Sequence, residues 1–367
     1  SSIDTGAVSI FVNDVNNLSK FKKNITIYGS TSYEALSRNY KNLSFEKKLF
    51  QSSSKIYIKE FLNSIKKDKF DLLEIHNRPH YLKYLIKLKE TKKIIFFHNN
   101  PLEMQGSTTV KDRNYLLKNS DALIFNSNWT KNKFLYNLDL KNHDKINVIP
   151  QSTSKVKVDF SKKKKIISFV GKLNSAKGFD IFGESILNIL NKYDDWSAVI
   201  IGSEPRQKLF YEHSNLKITG FKNNNYVLNK LKEVSISVTP SRWNEPFGRS
   251  SLEAASRGCA VIRSDTGGLK ETTNHSIVLK KLSSSELTKK IEFLIKNPKN
   301  LRKLQKLNYK NFVLTNKYSC SLLDNLREKL FSTKSELVKS NKIIKILHIT
   351  NFNERFNARL HYNTGKR

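Results

Sequence analysis

The chain has 367 residues, which is enough for two domains of ordinary size. Its content of 38% hydrophobic and 11% aromatic residues is typical of a globular rather than a disordered protein. Its 66 basic and 32 acidic residues give a formal net charge of +34, but the lysines are spread throughout and accompany no helix-turn-helix, RNA-binding aromatic pair or Cys/His finger, which argues against a specific nucleic-acid binder. Two cysteines form no disulfide framework and indicate a reducing compartment, and no apolar run approaches the roughly 20 residues that a membrane span needs.

The first half of the chain predicts a Rossmann-like parallel sheet. It opens with Gly6, followed by apolar residues at helical spacing as far as Leu18. Strand-like segments then alternate with helical ones, and the strands are apolar on both faces, which is typical of a doubly wound α/β domain. The predicted strands are 24–29, 71–77, 94–100, 121–127 and 146–150, and the predicted helices are 55–67 and 79–89.

Two histidines lie at the ends of predicted strands, where an open parallel sheet has its binding edge. His76 ends the strand over 71–77, and His98 ends the strand over 94–100. A lone histidine at such a position is more often a polar cap of a core strand than a ligand contact. The strand-end position favours a functional role for His98 more than for His76.

The second half predicts another parallel sheet. Residues 151–165 lack a core pattern and are predicted to link the two halves. A strand over 166–171 follows, and a loop that contains Lys172 and Lys177 leads into a helix over 179–193. The other predicted strands are 197–203, 216–221, 234–240, 259–264 and 276–279.

The most informative stretch is 234–259, in which a β-branched strand is followed by a loop and a short helix that begins after Gly248. Two carboxylates bracket the turn, Glu245 in the loop and Glu253 inside the helix. The backbone N–H groups around Phe247 and Gly248 lie at a helix N-terminus, where the helix dipole favours an anion. A phosphate-binding site between two acids that bind hydroxyl groups suits a nucleotide sugar.

Glu245-x7-Glu253, in the setting E-P-F-G-x-x-x-L-E-A, resembles the signature of retaining GT-B glycosyltransferases of family 4. The resemblance is most specific between residues 166 and 280. It implies an α/β fold of two Rossmann-like, doubly wound parallel-sheet domains that face each other across a cleft. The implied parts are an acceptor-side domain over 1–153, a nucleotide-sugar-binding domain over 166–317 and a helix over 318–331 that returns to the first domain.

The resemblance also implies roles for individual residues. Glu245 orients the donor sugar, His98 contacts it near its 6-hydroxyl, and Glu253 binds the ribose. Lys172 and Lys177 bind the diphosphate, although the family has an arginine at the first of these positions, and a lysine there lacks the bidentate fork. Further implied donor contacts are Phe247, Gly248, Gly202, Phe221 and Gly6 (a helix start fits Gly6 equally well), and the implied acceptor-side residues are His76, Arg78 and the loop 104–113.

The implied reaction is retaining transfer of a sugar from a UDP- or GDP-linked donor to a glycan or glycolipid acceptor, in lipopolysaccharide or surface-polysaccharide synthesis. The sequence contains no D-x-D motif and no His/Cys cluster with metal-ligand spacing, so we expect no metal and no cofactor besides the nucleotide-sugar substrate. The distributed positive charge fits an anionic membrane surface, and the expected location is the cytoplasm, peripheral on the inner face of the plasma membrane.

Three other functional classes remain open. A sugar-nucleotide epimerase has the same two-domain fold, although E-x7-E around Pro-Phe-Gly argues against it. A non-catalytic carbohydrate-binding relic fits the departures at Thr5 and Lys172, and would neither transfer sugar nor hydrolyse the donor. A nucleic-acid binder, favoured by charge alone, would bind any DNA with a steep salt dependence.

The last part of the sequence contains a further strand pattern. Residues 343–350, IIKILHIT, are β-branched and resemble the opening strand of another glycosyltransferase of the same kind. The family's first strand, which is central in its sheet, is not found ahead of Gly6, and an empty central slot would leave two rows of backbone groups unpaired. We therefore hypothesise that 343–367 begin a second module and that 343–350 fill the slot in parallel register; a disordered tail is the alternative.

Overall fold

The computed structural model describes residues 6–31, 39–44, 52–139, 144–206, 209–331 and 345–349. Its strands are β1 (Ile25–Gly29), β2 (Tyr40–Asn42), β3 (Leu72–His76), β4 (Lys92–Phe97), β5 (Ala122–Phe125), β6 (Ile146–Val148), β7 (Lys164–Val170), β8 (Ser197–Ile201), β9 (Leu216–Ile218), β10 (Val234–Thr239), β11 (Ala260–Arg263), β12 (Ser276–Val278) and β13 (Ile346–Ile349). Its α-helices are α1 (Ala7–Leu18), α2 (Ser53–Ser64), α3 (Leu82–Leu85), α4 (Val110–Asn119), α5 (Asn128–Leu135), α6 (Phe179–Lys192), α7 (Asn224–Glu233), α8 (Arg249–Ser256), α9 (Ser284–Lys296), α10 (Pro298–Lys310) and α11 (Asn316–Phe331).

These elements form two open sheets, as the alternation of strands and helices predicts. The first sheet has the order β2-β1-β13-β3-β4-β5-β6, and the second has the order β12-β11-β10-β7-β8-β9. All neighbouring strands in both sheets are parallel. Because parallel strands share one carboxyl edge, the loops that follow them meet along that edge.

Helices cover both faces of the first sheet. On one face α2, α4 and α5 pack against Leu73, Ile95 and Phe97, and on the other α1 and α11 pack against Leu72 and Ile94. Successive residues of a strand point to opposite faces, so a strand covered on both sides is apolar at most positions on both faces. The second sheet follows the same rule, with α6 and α9 on one face and α7 and α8 on the other.

The predicted helix over 79–89 is wrong in its length. A 3-10 turn over Pro79–Tyr81 is followed by only the four residues of α3. The Lys93 ammonium donates to the carbonyls of Leu88 at 2.7 Å and Thr91 at 2.6 Å. These carbonyls are therefore satisfied by a side chain, and the backbone turns into β4 instead of continuing the helix.

Two segments predicted to be irregular are partly regular. The predicted acceptor loop 104–113 runs into α4, whose first turn is closed by a capping box between Thr109 and Asp112. The predicted linker 151–165 includes the start of β7, and its Thr153 forms an isolated parallel bridge with the segment ahead of α11. Hydrogen bonds that apolar periodicity does not reveal thus fix both segments, within the helix start in the first case and in the bridge between Thr153 and Thr315 in the second.

The vacant central position of the first sheet is filled by β13. Ile346 pairs in parallel register with Ile25 of β1 on one side and with Leu72 of β3 on the other. The slot-filling hypothesis is therefore confirmed for β13. Residues 343, 344 and 350–367 lie outside the described residues, so the second-module hypothesis stays a prediction.

Shortening Ile346 should destabilise the whole first sheet, because its side chain is 1% exposed and belongs to the core beneath α1 and α11. We expect Ile346→Ala to lower the free energy of unfolding by about 2–5 kcal/mol, measured by urea denaturation. Val313→Ala is the matched control, since Val313 is 64% exposed and should change stability by less than about 0.5 kcal/mol. Equal midpoints for the two variants would show that β13 is not part of the folded core.

Candidate functional site

Glu245 lies in the loop between β10 and α8, at the carboxyl edge of the second sheet. The residue is 7% exposed, and its Oε1 accepts a hydrogen bond of 2.5 Å from the Lys177 ammonium. The same ammonium lies 4.3 Å from the centre of the Trp243 ring. Two residues that the sequence assigned to one site from positions 68 apart are therefore in direct contact.

Gly267 and Gly268 pack against the backbone of this loop. The N–H of Gly268 donates to the Glu245 carbonyl at 2.6 Å. Gly267 has φ +59°, and a Cβ there would lie 2.2 Å from the Glu245 carbonyl oxygen. Any other residue at this position would displace the Glu245 backbone, so the Thr266-Gly267-Gly268 turn fixes the loop that presents the acid.

The helix α8 presents its N-terminus beside this loop. Gly248 precedes it with φ +108° and provides no side-chain cap, so the first amides of α8 have no capping side chain. Glu253 is 3% exposed; its Oε1 accepts from Asn224 Nδ2 at 2.7 Å and lies 2.7 Å from Arg249 Nε. Glu253 is thus held as an ion-paired buried acid on the first turns of the helix, not as a solvated surface charge.

The other predicted donor contacts lie on neighbouring loops, because β10, β7, β8 and β9 are adjacent in the sheet. Lys172 is exposed in the loop after β7, and Phe221 is 44% exposed beyond β9. A Cβ at Gly202, after β8, would lie 1.8 Å from the Gly171 carbonyl oxygen, so these two loops touch. Gly6 has an ordinary φ of −70° and open space around it, so the backbone does not require glycine at this helix start.

A contact between the two halves adjoins the Glu245 loop. The Ser127 hydroxyl donates to the Pro246 carbonyl at 2.6 Å. The carboxylate of Glu271 accepts from the backbone N–H groups of Asn128 at 2.7 Å and Trp129 at 2.9 Å. Glu271 therefore caps α5 across the interface, where an acid is stabilised by the helix dipole. The carboxyl edges of the two sheets are brought together at this contact, which the sequence did not reveal.

His98 follows β4 at the carboxyl edge of the first sheet. Its backbone N–H donates to Asn77 Oδ1 at 2.7 Å, and its backbone carbonyl accepts from Asn126 Nδ2 at 2.9 Å. Its ring stacks on that of Phe96, with 4.4 Å between the ring centres. The residue is 2% exposed, and burial holds the pKa of His98 well below its usual range. Its Nδ1 is buried and has no hydrogen-bond partner among the described residues. Such an unsatisfied nitrogen is costly and calls for a function.

The acceptor-side assignment of His76 is not supported by its surroundings. The residue is 2% exposed, and its two ring nitrogens lie 3.0 Å from His98 Nε2 and 2.9 Å from His348 Nδ1. Both hydrogen-bonding positions of the imidazole are therefore occupied inside the protein. Arg78 is half-buried and donates to the carbonyl of Asn77, a residue with φ +54°.

One group of potential metal ligands is present among the described residues. Ligand atoms of Glu74, His76 and His348 all lie within 4.8 Å of one another, although the sequence predicted no such cluster. Arg327 donates to both oxygens of Glu74, at 2.8 Å from Nε and 3.0 Å from Nη2. A buried guanidinium that already binds the only carboxylate disfavours a second cation, so the group is better described as a hydrogen-bonded network.

Comparison with known proteins agrees with this geometry. The family model described as Glycosyl transferases group 1 matches residues 150–311, which contain Lys177, Glu245 and Glu253. The match covers less than half of the chain, the part that forms the second sheet and its loops. The structure of HepE from Anabaena in complex with UDP and glucose is similar with a TM-score of 0.69, over 91% of this chain and 98% of that chain, at 14% identity. At that identity the likeness concerns the fold, and the predicted GT-B architecture is confirmed.

The curated relatives of this chain match it over only part of their own length. YtcC from Bacillus subtilis (strain 168) is 23% identical over 253 residues, 60% of this chain and 62% of YtcC. The lipopolysaccharide core biosynthesis mannosyltransferase LpsB from Rhizobium meliloti (strain 1021) is 25% identical over 175 residues, 43% of this chain and 49% of LpsB. The matches therefore span less than two thirds of either relative. Among the described helices, none is both long and apolar enough to cross a membrane.

Proposed function

We propose that this chain is a retaining glycosyltransferase that moves a sugar from a UDP-linked donor to a glycan or glycolipid acceptor, without a metal cofactor. The observation that carries the proposal is the contact between Glu245 and Lys177 beside the N-terminus of α8. An acid that binds hydroxyl groups and a cation that binds phosphate are the two groups that a sugar diphosphate requires at neighbouring positions.

The proposed chemistry requires stabilisation of the departing diphosphate. Lys177, Lys172 and the first amides of α8 supply positive potential where that charge develops. On binding, Lys177 exchanges its contact with Glu245 for the phosphate, which releases the Glu245 carboxylate to accept hydrogen bonds from the sugar. The acceptor oxygen bonds to the anomeric carbon on the face from which the diphosphate leaves, and the diphosphate takes the proton of the acceptor hydroxyl. The anomeric configuration is therefore retained.

The donor and the pathway are proposed from the relatives. HepE is named in a complex with UDP and glucose, and LpsB is named for lipopolysaccharide core biosynthesis. The likeness to HepE favours a UDP-linked donor, and the likeness to LpsB favours a role in lipopolysaccharide or surface-polysaccharide synthesis. The formal charge of +34 supports work at an anionic membrane surface on the cytoplasmic side.

A panel of nucleotide sugars tests the binding part of the proposal. We expect UDP-sugars to raise the melting temperature more than the matching GDP- and ADP-sugars. A ligand present at 100 times its Kd adds about 2.7 kcal/mol of stability. If none of the three nucleotide classes shifts the melting temperature, the chain does not bind a nucleotide-sugar donor of these kinds.

Removing the two lysines should weaken the binding of UDP itself. Charge-assisted hydrogen bonds contribute about 1.5–3 kcal/mol each, so we expect Lys172→Ala and Lys177→Ala each to raise the Kd of UDP about tenfold or more, measured by calorimetry. Lys192→Ala is the matched control, because Lys192 forms an exposed ion pair with Glu292 at the far end of α6. UDP binding as tight as in wild type in both site variants would remove the phosphate assignment.

A further inference from the structure

A continuous row of buried, hydrogen-bonded side chains runs through the first domain from α11 to the carboxyl end of β4. We call it the histidine row; its members, in order, are Arg327, Glu74, His348, His76 and His98. Glu74 Oε2 lies 3.1 Å from His348 Nε2, and the two contacts between neighbouring imidazoles measure 2.9 Å and 3.0 Å. None of the five residues is more than 2% exposed.

Burial disfavours the charged form of all three histidines in the row, so the neutral imidazole is the form expected at neutral pH. Burial lowers the pKa of His98 and His76 and brings the pKa of His348 to about 3. A neutral imidazole has one N–H donor and one nitrogen acceptor. In a series of three such rings each ring must donate at one nitrogen and accept at the other, so one contact at the end of the row sets the direction of all of them.

The deciding contact is at His348 Nε2. Two groups are in reach of this nitrogen, the Glu74 carboxylate at 3.1 Å, which only accepts, and the Arg327 guanidinium Nη2 at 3.3 Å, which only donates. Arg327 Nη2 already donates to Glu74 at 3.0 Å and to Asn16 at 3.3 Å. Burial alone would raise the pKa of Glu74, but the charge of Arg327, together with smaller contributions from the neighbouring side chains, outweighs burial and holds that pKa well below its usual range. An ionised carboxylate is the stronger and closer partner, so His348 donates to Glu74.

The direction then follows ring by ring. His348 Nδ1 accepts from His76 Nε2, and His76 Nδ1 accepts from His98 Nε2. His98 is left with its proton on Nε2 and a lone pair on Nδ1. That nitrogen is the one that has no partner among the described residues.

We propose that Glu74, His348 and His76 are positioning residues that fix His98 in the tautomer whose Nδ1 accepts a hydrogen bond, so that His98 selects a ligand carrying a hydroxyl donor. That the hydroxyl belongs to the donor sugar rests on the proposed function, whereas the tautomer itself does not. The row also makes the far end of the sequence part of the site, because His348 lies on β13, 272 positions from His76.

The test is a long-range 1H–15N spectrum of the full chain labelled with 15N-histidine, in which protonated and unprotonated ring nitrogens have separate shifts. We expect wild-type His98 to show a protonated Nε2 and an unprotonated Nδ1, assigned from the signals lost in His98→Gln. In His348→Phe, which keeps a ring and leaves the Glu74–Arg327 pair intact, the two His98 nitrogens should move to averaged shifts. His275→Phe is the control: it removes an imidazole that is hydrogen-bonded to Asn311 and lies outside the row, and it should leave the His98 signals unchanged.

A wild-type spectrum with the proton on Nδ1 of His98 would overturn the proposal, and it needs no variant. Unchanged His98 signals in His348→Phe would overturn it as well. UDP lacks the transferable sugar of the donor, so His348→Phe should bind UDP as tightly as wild type does; weaker binding would mean that the row acts on the fold as a whole. Because the spectrum is recorded without substrate, its result stands whether or not the chain transfers sugar.

Discussion

Replacing Glu245 by glutamine should abolish sugar transfer while the chain stays folded. Glutamine keeps the shape of the side chain but loses the charge that places Lys177 and strengthens hydrogen bonds to the sugar hydroxyls. Removing one preorganised electrostatic contact costs about 100- to 1,000-fold in kcat, and we expect Glu245→Gln and Glu245→Ala to lose at least that much in a nucleotide-release assay.

The fold should tolerate these changes. The Lys177 side chain that loses its partner is 24% exposed and can be hydrated, so the loss of unfolding free energy should be smaller than the roughly 3–5 kcal/mol that breaking a fully buried pair costs. Glu292→Gln is the control, because it breaks a Lys–Glu pair of 2.7 Å on the outer side of α9 and should leave turnover unchanged. Near-wild-type turnover in Glu245→Gln would remove Glu245 from the reaction.

The largest effect on stability should come from Arg327→Met. Arg327 is fully buried on α11 and donates to Glu74 and Asp324. Methionine retains much of the volume but leaves buried carboxylates without their counter-charge, which costs about 3–5 kcal/mol. Urea denaturation at neutral pH measures this loss directly.

The pH dependence gives the same prediction a second readout. Arg327 depresses the folded-state pKa of Glu74 below its ordinary 4.5, so the stability that this pair contributes is present above pH 4.5 and is lost as the pH falls through the folded-state value. The difference between wild type and Arg327→Met should therefore shrink on acidification.

Glu328→Gln is the matched control for Arg327→Met, because Glu328 lies on the same helix as Arg327. The substitution breaks its exposed ion pair with Lys20, which follows α1, and should cost less than about 1 kcal/mol. If Arg327→Met destabilises the chain no more than this control, the buried network does not hold α11 to the first sheet.

Most of the fold could be predicted because the sequence pattern of its strands is distinctive. β-Branched runs that are apolar on both faces specify central parallel strands, and the cost of an unpaired slot placed β13 between β1 and β3. The length of the helix over 79–89 was misjudged because apolar spacing does not mark where the helix ends; the turn that follows is held in part by the Lys93 ammonium on the carbonyls of Leu88 and Thr91.

The site was predictable where its chemistry is local in sequence. Glu245, Glu253 and the glycines around them lie within one strand-loop-helix unit, so their spacing carries the signal, although their roles stay predictions. The histidine row could not be predicted, since Glu74 meets Arg327 across 253 positions and no local pattern records it. The cap that Glu271 places on α5 is hidden in the same way, 143 positions from Asn128.

The central claim is tested most directly by 1H NMR of the protein incubated with a panel of UDP-α-sugars. The quantity to be read is the anomeric configuration of the first sugar product, whether the sugar is transferred to an acceptor or released to water. The account predicts consumption of one UDP-sugar, release of UDP and a product in the α configuration, unchanged by EDTA. A β product would contradict retention, an epimerised UDP-sugar without release of UDP would identify an epimerase, and a UDP-sugar that binds but is never consumed would identify a binding relic.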